Sequence, residues 1–469
     1  MSFPRYPEYK TSNTDFIGQV PAHWKLERLK HCAEVFPSNV DKKSVDGQVP
    51  VKLCNYTDVY YNDTIGGELG FMLATATKEQ AMRFELQQGD VVFTKDSESA
   101  DDIGVAAYVS KRLPGVVYGY HLSIARANRA AIGEFLKQYF NSQETKSYFA
   151  VSANGLTRVG LGQYAVDNAP IALPTVDEQT QIARFLEHET AKIDALIREQ
   201  ERLIALLQEK RQAVISHAVT KGLDPNMPTK DSGVEWLGEV PEHWIISQLK
   251  FNTLDIQTGP FGSQLHAEDY VEDGIPLINP AHMIDGLIVP DPQVSVDDAT
   301  WLRLKRHSLA AGDLILARRG ELGRCAIISE EQDGWLCGTG SLKAKLTSQI
   351  EPEYAYLLIS SKGVVSELSL ESKGSTMQNL NTETLGRVKL PMPPLWEQKL
   401  ILDYIHEVSG QYATLVSTAQ SANKLITERR SALISAAVTG KIDVRGWQPP
   451  AEESAFFPEV LEAGVEVTA

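Results

Sequence analysis

The sequence predicts an α+β protein built as two tandem halves, each an α/β domain followed by one long helix. The two helices are expected to pair antiparallel, as a coiled coil, about a pseudo-twofold axis. Three observations predict this. Residues 176–219 and 395–438 align without a gap at a shift of 219 (Glu178 onto Glu397), and each stretch has helical spacing throughout. KTSNTDFIGQVPAHW (10–24) returns as KDSGVEWLGEVPEHW (230–244). Between these landmarks both halves pass through β-rich runs, a Gly-Asp turn, further strands and an amphipathic helix in the same order. The expected boundaries are 1–174 and 235–393 for the α/β domains, 175–222 and 394–440 for the long helices, 223–234 for a polar linker and 441–469 for an acidic flexible tail.

Each half opens on a segment pinned by its tryptophan, Trp24 or Trp244, after a V-P-x-H motif. His23 and His243 read as packing or hydrogen-bonding neighbours of that ring, since neither copy offers a catalytic partner nearby. In the first half VPVKL (49–53), GDVVFT (89–94), IGVAAYV (103–109) and GVVYGYHLSIAR (115–126) read as β structure, and GEFLKQYFNSQETKSYFA (133–150) as one helix. In the second half IPLIN (275–279), GDLILA (312–317) and GRCAIIS (323–329) precede PEYAYLLISSKGVVSELSL (352–370), again read as one helix. Gly89-Asp90 and Gly312-Asp313 match at a shift of 223, and the sequence between such landmarks diverges almost completely. The closing segments pair Gly155 with Gly374, Leu161 with Leu380 and Pro174 with Pro393.

Thr175-Val-Asp-Glu178 is a capping-box sequence at the first long helix; the second has Pro394 in place of the threonine. Leu186, Ile193, Leu196, Ile197, Leu203, Leu207 and Val214 form an apolar stripe, matched by Ile405, Tyr412, Leu415, Val416, Ala422, Ile426 and Leu433. About 44 residues at ~1.5 Å each give a helix of about 65 Å, too long to bury its stripe in one small domain. Gly222 and Gly440 are the expected helix stops.

Composition narrows the function. With 469 residues, 43% hydrophobic and 23% charged, the chain has the make-up of a soluble globular protein. The opening MSFPRYPEYK lacks a secretory pattern, no apolar run reaches membrane-spanning length, and the four cysteines form no CxxC pair, so a reducing cytoplasm is the expected setting. No Walker A, GxGxxG after a strand, GxSxG, HExxH or [ND]PP[YF] motif occurs, so neither a catalytic nor a metal site is expected. The net charge of −16 argues against a free-standing nucleic-acid binder. Within that acidic chain, however, cations cluster. Arg303, Lys305, Arg306, Arg318, Arg319 and Arg324 lie in the second half, and Lys42, Lys43, Lys52 and Lys95 in the first. Lysine and arginine neutralise phosphates and arginine pairs with guanine, so these ten are the candidate DNA contacts. Lys95 and Arg318 follow equivalent strands.

The repeated VPxHW segments, GDLILARRGELG (312–323), LPMPPLWEQ (390–398) with its echo ALPTVDEQ (172–179), and the helix ends ERRSALISAAVTGKID and EKRQAVISHAVTKGLD together resemble the DNA-specificity subunit of type I restriction–modification systems. The resemblance runs to about residue 445; KDSESADDIG (95–104) departs from the Arg/Gly-rich loop of the second half. It implies two target-recognition domains reading the halves of a split double-stranded DNA sequence, and a non-catalytic role. It also implies helices that fix the gap, capped near roughly 19 base pairs by their length. Two methyltransferase subunits would dock on those helices, joined by restriction/translocase subunits. On this basis Glu178, Gln179, Glu397, Gln398, Lys210, Arg211, Arg429 and Arg430 are the candidate partner-facing residues. S-adenosylmethionine, ATP and Mg²⁺ would belong to the partners, with no cofactor in this chain. A coiled-coil protein scaffold and an orphan methylation-specificity factor are the alternatives.

Overall fold

The computed structural model describes residues 3–371 and 380–450; Gly374 and the tail from 451 lie outside them. The chain divides into two compact units, residues 1–201 with 420–469, and residues 202–419. The division falls inside both long helices, not at their ends.

In the first unit β1 (Ala33–Pro37), β2 (Thr64–Ile65), β3 (Asp90–Thr94), β4 (Ala106–Val109) and β5 (Leu122–Ala127) form a sheet of order β1-β5-β3-β4-β2. β5 lies antiparallel to both β1 and β3. The apolar run GDVVFT supplies the central strand β3, buried along its whole length. A second sheet places Val49–Cys54 between Met72–Ala76 and Val116–Tyr118. The run 115–126 is therefore two strands in two sheets. Gly119 N–H bonds to Cys54 O (2.9 Å) and Leu122 N–H to Gly119 O (2.9 Å), which turns the chain between them.

The stretch 133–150 is likewise two helices, α1 (Gly133–Phe140) and α2 (Gln143–Ser152). Ser142 is extended (φ −73°, ψ 149°), and its hydroxyl accepts from Thr145 N–H, so it caps a new helix instead of continuing the old one. The first long helix, α3, runs Val176–Lys221. Its opening turns share a core with the closing turns of the second long helix (Leu395–Val438): Trp24, Ile182, Phe185 and Leu186 cluster with Ile434, Ala437 and Val438. Residues beyond 440, expected to be flexible, pack here up to Trp447. Asp443 N–H bonds to Pro4 O (2.8 Å), Val444 is buried, and the Trp447 ring lies 5.3 Å from that of Phe185. The apolar side chains Ile442, Val444 and Trp447 are what hold this stretch down.

The second unit repeats the frame with a smaller sheet of order β6-β9-β7-β8, from β6 (Thr253–Thr258), β7 (Leu314–Ala317), β8 (Cys325–Ile327) and β9 (Ser341–Leu346), all neighbours antiparallel. Its helical stretch breaks at Ser361 into α4 (Pro352–Ile359) and α5 (Lys362–Glu371), as its counterpart breaks at Ser142. The linker expected at 223–234 contains a strand, since Thr229–Asp231 pairs with Glu239–Pro241. Here the end of α3 and the start of the second long helix, α6 (Leu395–Val438), share the core: Ile215, Ala218 and Val219 cluster with Trp244, Ile401 and Ile405. α3 and α6 are thus packed antiparallel. The stripe is buried where it meets the domain cores (Leu186, Ile193, Ile405), whereas Leu196, Leu203 and Leu415 stay exposed.

Candidate nucleic-acid interface

In both units a glutamate on the first turn of a long helix ties down the VPxHW segment. Glu178 is buried and accepts from Trp24 Nε1 (3.0 Å) and Tyr6 Oη (2.6 Å), and it pairs with His23 Nε2 (2.9 Å). Glu397 accepts from Trp244 Nε1 (3.0 Å) and pairs with His243 Nε2 (2.6 Å). The next residue also repeats in its role. Gln179 accepts from Ile132 N–H (3.0 Å) and donates to Ala130 O and Pro174 O; Gln398 accepts from Glu351 N–H (2.9 Å) and donates to Gln349 O and Pro393 O. These bonds fix each α/β domain to its helix. They also revise the capping box. Glu178 N–H does lie 3.4 Å from Thr175 Oγ1, but the Glu178 carboxylate is committed to Trp24 and Tyr6.

So anchored, each sheet presents one end to its loops. In the first unit the register places the end of β1 beside the start of β5 (Pro37 opposite Ser123) and the end of β3 beside it on the other side (Thr94 opposite Leu122). Lys95 follows β3 directly. Its N–H bonds to His121 O (3.0 Å), its carbonyl accepts from Leu161 N–H (2.8 Å), and its ammonium donates to Ser38 O (3.2 Å). Burial lowers the Lys95 pKa, with the neighbouring Asp96 opposing it. Lys95 and Asp96 line a cleft of about 230 Å³ with Val35, Pro37, Ser123 and Gln163. Asp96 holds His121 Nδ1 (2.7 Å) and Arg158 Nη2 (2.8 Å). Lys42 and Lys43 are exposed on the loop after β1. Lys52 is exposed on the three-stranded sheet, so the fold does not place it on the Lys95 strand end.

The second unit builds the same end. Thr258 lies opposite Leu342 and Ala317 opposite Ser341. Arg318 N–H bonds to Gly340 O (2.9 Å) and its carbonyl accepts from Leu380 N–H (2.9 Å), which is the Lys95 pattern repeated residue for residue. The loops there approach so closely that a Cβ on Gly259 would sit 1.8 Å from Gly338 O. Arg324 donates to Pro280 O (3.2 Å) and pairs with Glu321, while Arg319 is exposed with no partner among the described residues. Arg306 is exposed; with the Gln257 amide turned so that its oxygen faces the guanidinium, that oxygen accepts from Arg306 Nε (2.7 Å) and Nη2 (2.8 Å) and the amide nitrogen donates to Arg306 O (2.8 Å). Lys305 lies 5.8 Å from the Trp301 ring centroid. Arg303 is held by Gln264 O (2.6 Å) and Asp269 (2.6 Å), and serves as a tether for the loop 262–269.

A family model for the type I restriction modification DNA specificity domain matches residues 276–420. The putative MjaX specificity subunit of Methanocaldococcus jannaschii is 22% identical over 457 residues, 94% of this chain and 98% of that one. The EcoKI specificity subunit of Escherichia coli K12 is 21% identical over 438 residues, 91% and 90% of the two chains. The chain is similar along nearly its whole length to type I restriction–modification specificity subunits. Specificity subunits of these systems are non-catalytic. A solved chain from work on complex assembly and conformational transition of the type I system shares the fold, with TM-score 0.58 and 19% identity over 89% of this chain and 98% of that one.

The long-helix residues expected to face a partner fall into two groups. Glu178, Gln179 and Gln398 are buried beneath their own α/β domains, and Glu397 is partly buried and bonded to Trp244 and His243. Arg430 is likewise engaged internally, by Asp194 (2.7 Å) and Asp63 (2.6 Å). Lys210, Arg211 and Arg429 are exposed. Sequence reasoning also missed Asp96, His121 and Arg158. The acidic run KDSESADDIG set the first loop edge apart from the second, but nothing local in it announces that Asp96 gathers two side chains distant in sequence, His121 and Arg158. Among the described residues, no group of acidic, histidine and cysteine side chains could hold a metal, and no helix is long and apolar enough to cross a membrane.

Proposed function

We propose that this specificity subunit reads a split, asymmetric double-stranded DNA sequence, one half per unit, through the loop-bearing ends of its two sheets. The observation that carries the reading is the shared backbone slot of Lys95 and Arg318, each a cation at the end of the central strand and bonded on both sides by equivalent residues. Phosphate contacts position a protein and base contacts specify, so a repeated frame with divergent loops suits two different half-sites. The helices shared by both units would set the gap. They also expose leucines, Leu196 and Leu425 in the first unit and Leu203, Leu206 and Leu415 in the second, that suit docking of methyltransferase subunits. Restriction/translocase subunits would complete the complex. S-adenosylmethionine, ATP and Mg²⁺ enter with these partners. They would also supply much of the electrostatic affinity that a chain of net charge −16 lacks.

The test is co-expression with the methyltransferase encoded beside it, followed by mapping of methylated adenines on genomic DNA. A split motif with a fixed gap is expected. Lys95→Ala should weaken methylation without altering the half-site read by the second unit, and the pair Arg318→Ala, Arg319→Ala should do the converse. A complex that assembles but methylates without sequence preference would leave a protein scaffold in its place.

A further inference from the structure

The first unit carries an apolar side chain at the tip of a closed loop on its contact edge. Asn154 and Gly160 bond reciprocally, N–H to O at 3.1 and 2.9 Å, and so close a tip of Gly155, Leu156, Thr157 and Arg158. Gly155 has φ +145°, and a Cβ there would meet Arg158 O at 2.0 Å, so the tip is a tight backbone turn that needs glycine. Val159 and Gly160 pair with Ser97 and Asp96, which grafts the loop onto the segment that follows Lys95. The Arg158–Asp96 ion pair (2.8 Å) adds a second anchor at the same place, with Asp96 also held by His121. Leu156, at the apex, is fully exposed.

We propose that this tip is a base-reading element and that Leu156 contacts the 5-methyl group of a thymine in the half-site of the first unit; the inference rests on the DNA reading above. Lysines on this edge can engage phosphates, which carry no sequence information. Leu156 has no group for a phosphate. The apolar feature that a base edge presents in the major groove is the thymine methyl, and apolar side chains read it by contact. A short tip braced at both ends keeps such a contact in register, which a floppy loop could not do, because positions must hold within a fraction of an ångström to discriminate one methyl group.

The experiment uses the complete chain in complex with its methyltransferase, and duplexes bearing the mapped sequence with thymines replaced singly by uracil, which lacks only the methyl group. The wild-type complex should methylate about fourfold more slowly when one particular thymine of the first half-site is replaced, the effect of losing one buried methyl contact. Leu156→Ala should methylate the thymine duplex at about the wild-type rate on uracil and show no further loss on uracil. Leu156→Met should restore part of the preference. A wild-type complex indifferent to every replacement in that half-site overturns the inference, as does Leu156→Ala retaining the thymine preference. A Leu156→Ala defect with no thymine preference in the wild type assigns the tip to wedging between base steps and equally overturns the methyl contact. Absence of any split methylated sequence in the wild-type complex brings down the DNA reading itself, an outcome visible before any variant is made. Because Leu156 is fully exposed, the variants should melt with the wild type, and that control separates a reading defect from a folding one.

Discussion

Replacing Glu178 by alanine should be among the most damaging single changes in the first unit. Its carboxylate is 5% exposed and is the acceptor for the Trp24 indole N–H and the Tyr6 hydroxyl, with His23 beside it. Removing it leaves two buried donors unmatched. Each unmatched donor costs about 1–3 kcal/mol, so the loss should be about 3–5 kcal/mol after partial relaxation of the Tyr6 hydroxyl. Glu178→Gln keeps an acceptor oxygen and gives up the charge, so it should lose only ~1–2 kcal/mol. The counterpart Glu397 serves Trp244 and His243 and has no tyrosine, and it is 13% exposed, so Glu397→Ala should cost less, about 2–3 kcal/mol. Urea unfolding followed by far-ultraviolet circular dichroism, fitted with a transition for each unit, measures all three. The burial of Tyr6 and its bond to Glu178 raise the tyrosine's pKa, so its ultraviolet titration in the intact chain gives an independent reading of the same contact. An alanine variant within ~0.5 kcal/mol of wild type, or a Glu397→Ala loss larger than that of Glu178→Ala, would refute the proposed role of these hydrogen bonds.

Burial pushes the thiols of Cys32, Cys325 and Cys337 up to about 12, and that of Cys54 higher still. The native chain at pH 8 should therefore show no thiol reacting rapidly with Ellman's reagent, and all four should react after denaturation; one fast thiol in the native chain would contradict their burial. Because these folded values lie above the unfolded ones, their contribution to stability is complete below about pH 8.5 and declines as pH rises toward 12, which a urea series at pH 8, 9.5 and 10.5 would register. Gly440 has φ +72° and a Cβ there would meet Pro21 Cδ at 2.3 Å, whereas the tightest contact at Gly222 (φ +80°) is Trp244 Cζ2 at 3.3 Å. Both alanine variants lose the ~1 kcal/mol of a strained left-handed residue, and Gly440→Ala should lose ~1–2 kcal/mol more in thermal melts. Arg430→Ala breaks ion pairs to Asp194 and Asp63 that are partly screened by solvent, and should lower first-unit stability by ~1–2 kcal/mol at low salt, while Arg429→Ala leaves it unchanged.

The repeat was legible because the residues that fix the frame are few and obligatory. A tryptophan needs an acceptor for its indole, a helix needs a stop, and a glutamine must satisfy loop backbone at a helix start; Trp24, Gly440 and Gln179 recur for these reasons as Trp244, Gly222 and Gln398. The long helices were legible from their period. What could not be read was decided by interactions with no sequence spacing of their own. Ser142 and Ser361 cap new helices inside stretches whose apolar spacing continues across them, since a hydroxyl at the right backbone angle outweighs periodicity. The five-stranded and three-stranded sheets of the first unit part at Gly119 inside an unbroken β-like run. Glu178 and Gln398, expected from the resemblance to face a partner, are buried beneath their own α/β domains, where they bond the segments packed against them.

The loop-bearing ends of the two sheets differ in the groups they present. At the shift of 223 that superposes Lys95 on Arg318, Asp96 falls where the second unit has Arg319. Opposite charges therefore occupy one backbone position on equivalent strand ends. Arg319 is exposed and presents donors suited to guanine or phosphate. Asp96 is 19% exposed and its oxygens are bonded to His121 and Arg158, so in the first unit the groups free to face DNA are the ones that the carboxylate holds in place. A guanidinium on a loop and a histidine–arginine pair braced by a carboxylate do not match the same pattern of donors and acceptors. If both edges face DNA, the two half-sites must differ in sequence. Exchanging Asp96 for arginine should not transplant the second unit's preference; it should release His121 and Arg158 and abolish selectivity for the first half-site, while methylation maps continue to show the second.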